Sequence, residues 1–247
     1  MRILVISDIH GNADALQKVL EHASRWDKLW VLGDLVDYGP EPHIVVDLIR
    51  SMRPDIIVKG NHDHAVAFNV DCLCASEIHE LSEYTRNNIS YKLLTKEQIK
   101  WLRTLLLRNE ITINNKSFYI VHGSPRNPLY GYLKPNLSPD EILLHLTPTS
   151  LAARPKPINK DFVVIGHTHI PCRISIGNTI VLNPGSVGQP RDGVPKASYM
   201  IIDTDNMVIE HYRVEYDINR VLRKLKDLNL GERYYQWLRK ILLTASI

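Results

Sequence analysis

Acidic, amide and imidazole side chains follow short apolar runs at five places in this sequence. Five of the eleven histidines take part. Together these side chains offer carboxylate oxygens and imidazole nitrogens, a donor set that suits Mn, Fe, Zn, Co or Ni better than Ca or Mg, which prefer oxygen ligands alone. The pattern therefore indicates a transition-metal site. The residues concerned are Asp8 and His10, Asp34, Asn61 and His62, His122, and His167 and His169.

The elements that would position these residues alternate between strands and helices. Apolar runs at 3–6, 29–32 and 56–58 are short and rich in branched residues, as in strands that are buried on both faces. Between them, Asn12 can cap a first helix, and residues 40–51 predict a second one. This alternation predicts a parallel sheet. Because ligands bind beyond the carboxyl ends of such strands, the polar residues found there should lie close together.

Further strands and hairpins are predicted in the second half of the chain. They lie at 118–121, 162–165, 173–182 with a turn at Gly177 and Asn178, 199–202, and 208–214. The hairpins favour a second, mixed sheet packed against the first. The sequence as a whole therefore predicts an α/β protein.

We expect residues 1–247 to form one domain with three additions. Residues from about 65 to 110 have helical spacing and resemble an inserted cap that includes two cysteines. A long loop from about 124 to 160 contains one short helix that begins at Ser138. A helical tail covers about 217 to 247. Long insertions of this kind are usually functional or mobile.

The bulk composition excludes several classes of function. A net charge of +3, from 30 basic and 27 acidic residues, is too mild for a nucleic-acid or membrane surface. No apolar run approaches the roughly 20 residues of a membrane helix, and no signal-peptide cleavage pattern follows the first strand, so we expect a cytoplasmic protein. Three cysteines without a Cys-x-x-Cys pair favour reduced thiols over a disulfide framework or a zinc knuckle.

Five segments resemble, in order, the signature blocks of the calcineurin-like metallophosphoesterase family. They are Asp8-Ile9-His10-Gly11-Asn12, Gly33-Asp34-Leu35-Val36-Asp37, Gly60-Asn61-His62-Asp63, His122-Gly123 and Gly166-His167-Thr168-His169. The stretch from Asn183 to Arg191 is similar to the segment that follows these blocks in the small prokaryotic branch. The resemblance extends from Met1 to about Asp203. One block alone would be weak support, whereas five in the right order are highly specific.

The resemblance implies a four-layer αββα sandwich of two mixed sheets flanked by helices, with two divalent metal ions between strand ends. Manganese is the first choice, and Fe, Zn, Ni or Co are alternatives. By analogy Asp34 bridges the two ions, since one carboxylate can span ions about 3.5 to 4 Å apart. The other implied ligands are Asp8, His10 and His169 for the first ion, and Asn61, His122 and His167 for the second.

The resemblance also implies a mechanism for hydrolysing phosphate mono- or diesters. A hydroxide that bridges the two metals would attack phosphorus in line, and His62 would protonate the leaving oxygen. A histidine suits this task because both of its protonation states are accessible near neutral pH. Asp63 could orient His62, or it could be a turn or helix-cap carboxylate.

Two further residues are candidates for binding substrate. Arg191 could form a bidentate contact with phosphate, or it could be a solvated surface arginine. Asn12 could contact phosphate at the helix start, or it could only cap the helix. Aromatic residues in the tail either pack a helix or form a dimer surface, so the sequence leaves open whether the protein forms a homo-oligomer.

Three functions are compatible with this pattern. The first is a phosphoesterase acting on small phosphate esters or nucleotides, which a cap that narrows access would favour. The second is a serine/threonine protein phosphatase that uses the same metal centre. The third is a non-catalytic scaffold, which the complete ligand set and the presence of His62 make the least favoured of the three.

Overall fold

A computed structural model describes residues 1–149, 151 and 154–247 of the chain. The strands in these residues are β1 (Arg2–Ile6), β2 (Lys28–Val31), β3 (Ile56–Ile57), β4 (Arg108–Ile113), β5 (Lys116–Val121), β6 (Phe162–Val164), β7 (Cys172–Ile176), β8 (Thr179–Asn183), β9 (Ala197–Asp203) and β10 (Val208–Val214). The helices are α1 (Ala13–Ala23), α2 (Pro42–Met52), α3 (Asn61–Phe68), α4 (Ser76–Thr85), α5 (Tyr91–Leu93), α6 (Lys96–Thr104), α7 (Pro139–His145), α8 (Ile218–Asp227) and α9 (Glu232–Thr244). A π-helical turn at Arg86–Ser90 joins α4 to α5.

The described strands form two mixed five-stranded sheets flanked by helices, as predicted. The first sheet has the order β10–β9–β1–β2–β3 and the second has the order β4–β5–β6–β8–β7. Strands β1, β2 and β3 run parallel to one another, and so do β5, β6 and β8. The predicted site residues follow β1, β2, β3, β5 and β6, so the site lies where the carboxyl ends of strands from both sheets meet.

Three apolar layers hold the sheets and helices together. The layer between the sheets includes the fully buried rings of Trp30 and Phe118, whose centroids lie 5.4 Å apart in an edge-to-face contact. Leu4 and Ile6 point to the opposite face of the first sheet, where α1 and α2 cover them. Ile142 of α7 joins the layer on the outer face of the second sheet. Side chains that alternate along buried strands produce this division, because successive residues face opposite sides.

Two helix starts confirm predictions made from the sequence. The side-chain oxygen of Asn12 accepts a hydrogen bond of 3.1 Å from the backbone N–H of Ala15, which caps α1. Ser138 and Glu141 form the capping box that begins α7. Among the described residues, no helix has the length and hydropathy needed to cross a membrane.

Three predicted details are wrong. The spacing predicts helix as far as about residue 110, but α6 ends at Thr104 and β4 begins at Arg108. The hairpin of β9 and β10 joins the first sheet, because β9 pairs with β1. Cys72 and Cys74 lie between α3 and α4 and not within a cap helix. Each of these features depends on pairing or packing between distant parts of the chain, which local periodicity does not report.

Asp161 connects the starts of β5 and β6. Its carboxylate accepts hydrogen bonds from the backbone N–H of Ser117 (2.9 Å), from the Ser117 hydroxyl (2.7 Å) and from the ammonium of Lys116 (3.2 Å). These donors, the Ser117 backbone first, lower the pKa of Asp161 to about 2. A carboxylate with a depressed pKa stabilises the fold above its unfolded pKa, and this contribution is lost as the pH falls through the folded pKa.

We expect Asp161→Asn to lower the free energy of unfolding by about 1 kcal/mol at neutral pH, the usual net value of hydrogen bonds at a partly exposed charged group. The difference from the wild type should shrink as the pH falls from about 5 to about 2. Urea unfolding, monitored by circular dichroism at several pH values, measures this difference in the free energy of unfolding. Asp47→Asn, on the exposed face of α2, is the matched control. A difference that does not change with pH would contradict this role for the carboxylate.

Candidate metal centre

The seven predicted metal ligands are all buried, and the structure gathers six of them into two adjoining clusters. One cluster contains Asp8, His10 and His169, and the other contains Asp34, His122 and His167. In each cluster the possible ligand atoms lie within 4.8 Å of one another. Asn61, the seventh residue, places its side-chain oxygen 3.2 Å from Nε2 of His122. Residues separated by up to 161 positions therefore converge at the strand ends.

In the first cluster the ring nitrogens that face inward are the Nε2 atoms. Nδ1 of His10 lies 2.9 Å from the carbonyl oxygen of Val36, and Nδ1 of His169 lies 2.6 Å from that of Gln189. Since a carbonyl only accepts, each Nδ1 donates its hydrogen, and the Nε2 lone pairs are available as ligands. These Nε2 atoms are 3.3 Å apart, and that of His169 is 3.5 Å from a carboxylate oxygen of Asp8.

Asp34 lies between the two clusters. Its Oδ1 accepts a hydrogen bond of 2.9 Å from the backbone N–H of His62. Its Oδ2 is 3.7 Å from Nε2 of His10 and 3.2 Å from Nε2 of His122. Gly60 packs directly against the carboxylate, and a Cβ atom at position 60 would overlap it. One oxygen of Asp34 is thus fixed by the backbone, while the other faces both clusters.

The donors present fit divalent cations. Oδ2 of Asp34 and Nε2 of His167 are buried and have no hydrogen-bond partner among the described residues. Unpartnered buried lone pairs are costly, so native proteins rarely leave them without a role. A cation between the clusters would be coordinated by both atoms. The mixture of carboxylate, amide and imidazole donors favours a transition metal over calcium.

Burial keeps three of the histidines neutral. It lowers the pKa of His10 to about 3, and it lowers the pKa values of His167 and His169 well below their ordinary value. His122 differs, because the charge of the adjacent Asp34 outweighs burial and raises its pKa to about 9. Metal ligands must release their protons, and a cation beside Asp34 would take the place of the proton on His122.

Five of the seven predicted ligands adopt left-handed backbone conformations. Their φ angles lie between 47° and 64°, a region that costs residues other than glycine roughly 1 kcal/mol or more each. Backbone strain of this kind persists only where the surrounding fold imposes it, and it clusters at functional sites. The five residues are Asp8, His10, Asp34, His167 and His169.

His62 lies beside the clusters and faces a carboxylate that the sequence analysis did not single out. Nδ1 of His62 is 2.9 Å from Oδ2 of Asp37, which is fully buried. Asp37 also accepts hydrogen bonds from Nε of Arg86 (3.2 Å) and from the hydroxyl of Ser90 (2.7 Å). Burial would lower the pKa of His62, but the charges of neighbouring groups, Asp34 foremost, raise it above its ordinary value.

Asp63 does not contact the His62 ring, so the prediction that it orients His62 is wrong. Its two oxygens accept hydrogen bonds from the backbone N–H groups of Asp34 (2.8 Å), Leu35 (2.8 Å) and Gly60 (3.1 Å). The alternative role, a turn and helix-cap carboxylate, matches these contacts. Asp63 therefore holds together the two backbone segments that carry Asp34 and Asn61.

The two predicted substrate residues lie at the edge of the clusters. Asn12 caps α1, donates from Nδ2 to the carbonyl of Gly188 (3.1 Å) and lines a small cavity next to His10. Arg191 is partly exposed, and its guanidinium donates to the side chain of Gln189 (2.7 Å). Its charge contributes to the lowered pKa values of His10 and His169, after burial. A positive group thus borders the first cluster.

A family model described as the calcineurin-like phosphoesterase superfamily domain matches residues 1–207. The chain belongs to this family. The match includes all seven predicted ligands and His62. The family is metal-dependent, and the chain is accordingly an enzyme of the phosphoesterase class, with candidate ligand groups at its strand ends.

Relatives of this calcineurin-like phosphoesterase cover most of its length. An uncharacterized protein of Methanocaldococcus jannaschii is 34% identical over 93% of this chain and 94% of its own. The phosphodiesterase YfcE of Escherichia coli is 26% identical over 83% of this chain and 89% of its own. The crystal structure of a metallophosphoesterase from Sphaerobacter thermophilus has a TM-score of 0.79 and 32% identity, covering 97% of this chain and 98% of its own.

Two site residues of this calcineurin-like phosphoesterase escaped the sequence analysis. Asp37 stands in the second signature block, three residues after Asp34, so its position in that block was an available signal. Arg86 had no such signal, because it lies in a π-helical turn within the region predicted to be a helical cap. It reaches Asp37 because the π-helical turn packs against the loop that follows β2.

Proposed function

We propose that this protein hydrolyses phosphate mono- or diesters at a dinuclear metal centre, and that small phosphodiesters or nucleotides are its substrates. The observation that carries the proposal is the Oδ2 atom of Asp34, which is buried and lies 3.7 Å from Nε2 of His10 in one cluster and 3.2 Å from Nε2 of His122 in the other. A single cation site would not need a carboxylate oxygen between two groups of ligands. The relative named as a phosphodiesterase supports diesters as substrates.

Each proposed ligand has a defined part in this function. Asp8, His10 and His169 would hold one ion, Asn61, His122 and His167 would hold the other, and Asp34 would bind both. When bound, such a pair of divalent cations supplies hydroxide near neutral pH and offsets negative charge on the phosphoryl oxygens. Manganese is the first metal to test.

His62 is proposed as the proton donor to the leaving oxygen. Its Nδ1 is directed at Asp37, which leaves Nε2 as the nitrogen that can reach the substrate. The Asp37 carboxylate fixes the ring and stabilises its protonated form. Arg191 and Asn12 are proposed to bind phosphate oxygens.

Two segments of the chain meet beside the proposed centre. The ring of Tyr132 lies 3.9 Å from that of His167, and its hydroxyl accepts a hydrogen bond from the backbone N–H of Ala75. The loop after β5 and the segment before α4 therefore meet at the second cluster. This supports small substrates.

We propose in addition that residues 1–247 form one domain, in which the additions at about 65–110, 124–160 and 217–247 surround the centre.

Hydrolysis assays with defined metals test the proposed function. Bis(p-nitrophenyl) phosphate and p-nitrophenyl phosphate are incubated with the chelator-treated protein, with and without Mn²⁺. We expect turnover that depends on Mn²⁺, is faster on the diester, and is lost in Asn61→Ala. A phosphopeptide hydrolysed faster than either ester would favour a protein phosphatase. No metal-stimulated turnover on any ester would favour the non-catalytic scaffold.

Asp37→Asn tests the orientation of His62. We expect kcat to fall about 10- to 100-fold with metal content unchanged, the usual effect of losing a group that fixes a catalytic imidazole. The matched control is Asp47→Asn, which makes the same chemical change at an exposed position of α2, away from the clusters. If Asp37 acts through His62, then Asp37→Asn will add little to His62→Ala in a double variant. Additive losses would contradict this role.

A further inference from the structure

Two cysteines touch each other in the segment that joins α3 to α4. The Sγ atoms of Cys72 and Cys74 are 3.0 Å apart. Leu73 between them has a φ of 45°, and this left-handed turn brings both thiols to the same side of the chain. Cys72 is fully buried, whereas Cys74 is partly exposed and so accessible to small solutes.

This pair is in direct contact with the proposed catalytic centre. The side-chain amide of Asn61 donates a hydrogen bond of 2.8 Å to the backbone carbonyl of Cys72. The thiol of Cys72 lies 3.2 Å from the hydroxyl of Ser82, which is 3.4 Å from Nδ1 of His62. One cysteine therefore holds a proposed metal ligand in place and shares a neighbour with the proposed proton donor.

We propose that Cys72 and Cys74 form a redox-active dithiol, which a hydroperoxide converts to a disulfide and which thereby lowers the turnover of the adjacent centre. The effect on turnover rests on the proposed function, whereas the oxidation itself does not. Forming the bond requires the sulfurs to approach by about 1 Å, to the disulfide length of about 2.05 Å.

The chemistry takes two steps. The sulfur of the accessible Cys74 attacks the hydroperoxide, the O–O bond breaks, and a sulfenic acid and an alcohol or water result. The sulfur of Cys72 then attacks the sulfenic sulfur, the S–O bond breaks, and water leaves with the thiol proton. In sum, two thiols are oxidised to one disulfide and one hydroperoxide is reduced. A dithiol reductant reverses the change by exchange.

A soft metal ion is the less favourable occupant of this pair. It would need His62 as a third ligand, and Nδ1 of that ring is already 2.9 Å from Asp37. The guanidinium of Arg86, which donates to the hydroxyl of Ser82 at 3.1 Å, would also place a positive charge beside the cation. Disulfide formation involves neither conflict.

The disulfide changes the hydrogen bond that orients Asn61. The carbonyl that accepts this bond belongs to the peptide between Cys72 and Leu73, which becomes part of the closed ring. Drawing the sulfurs together turns this peptide and moves the carbonyl. Outer contacts that orient a metal ligand typically affect activity 10- to 100-fold, so we expect the oxidised protein to turn over about 10-fold more slowly.

The test treats the metal-loaded full-length protein with hydrogen peroxide and follows two signals. Mass spectrometry of the peptide that contains residues 71–75 should show the loss of about 2 Da, for two hydrogens. Turnover of bis(p-nitrophenyl) phosphate should fall about 10-fold and recover with dithiothreitol. Cys74→Ser should show neither change, and Cys172→Ser, which removes the cysteine of β7, should behave like the wild type.

The outcomes separate this inference from the proposed function. Thiols that stay free after peroxide treatment would overturn the dithiol, whatever the activity. Two results would show that the disulfide does not control activity. One is a disulfide that forms while turnover stays unchanged. The other is a peroxide-induced loss of turnover in Cys74→Ser equal to that in the wild type. If added Cd²⁺ gives a thiolate-to-metal absorption band that Cys74→Ser lacks, the pair is a metal site and the proposal is wrong. A protein that forms the disulfide but hydrolyses no ester would contradict only the proposed function.

Discussion

Replacing Asp34 by asparagine is expected to lower kcat by about 10³-fold and to release both metal ions together. Its Oδ2 atom faces His10 in one cluster and His122 in the other, so the substitution removes negative charge that both ions would share. Metal ions contribute several kcal/mol to the stabilisation of phosphoryl-transfer transition states, and about 1.4 kcal/mol corresponds to a factor of ten. Metal content from inductively coupled plasma mass spectrometry, measured beside kcat, provides the test.

The control for Asp34→Asn is Asp47→Asn, which makes the same chemical change on an exposed position of α2. It should retain both ions and full turnover. Asp8→Asn provides a further comparison, because Asp8 belongs to one cluster only and its loss should weaken one ion more than the other. If Asp34→Asn keeps both ions at native affinity, the carboxylate does not bridge them.

Replacing His62 by alanine is expected to lower kcat by about 10²-fold or more while metal content stays at the wild-type level, because a general acid typically contributes 10² to 10⁴. The loss should depend on the leaving group. A p-nitrophenolate ion leaves without a proton, whereas an alkoxide needs one. Substrates with alkyl leaving groups should therefore lose more turnover than p-nitrophenyl esters.

His64→Ala is the matched control for His62→Ala. His64 lies on the same helix, and its ring contacts Phe68 and not the clusters. Its removal should change neither turnover nor metal content. Metal loss in His62→Ala that parallels the loss of turnover would show that the residue acts as a ligand and not as a proton donor. An equal loss for all leaving groups would also contradict the proton-donor role.

The strands and helices that carry the site were predictable, because their signals are local. The buried strands β1 and β2 appear as continuous apolar runs, and Asn12 has the polar side chain that begins a helix. Strand β4 was missed for the opposite reason. It lies at an edge of its sheet, its residues are half exposed, and it follows three leucines at 105–107 that continue the apolar spacing of α6. The position of β9 beside β1 depends on pairing between strands about 200 residues apart. The local sequence of either strand does not indicate this pairing.

The convergence of the proposed ligands was predictable because each one follows a strand, but the partner of His62 was not. Asp63 is adjacent in sequence, yet it is the third residue of α3, and a carboxylate at that position turns back toward the N-terminal backbone of the helix. The ring of His62 points elsewhere, to Asp37 at the end of a different strand. Adjacency in a helix therefore indicated the wrong carboxylate.

The left-handed backbone conformations of the five proposed ligands lower the stability of the fold while they serve the proposed centre. Glycine at those φ angles relieves a cost that aspartate and histidine bear, so a chain that loses a ligand to glycine there can become more resistant to heat as it becomes inactive. In evolution, selection for durability alone would thus erode the centre. Persistence of all five residues requires continuing selection on what the centre does.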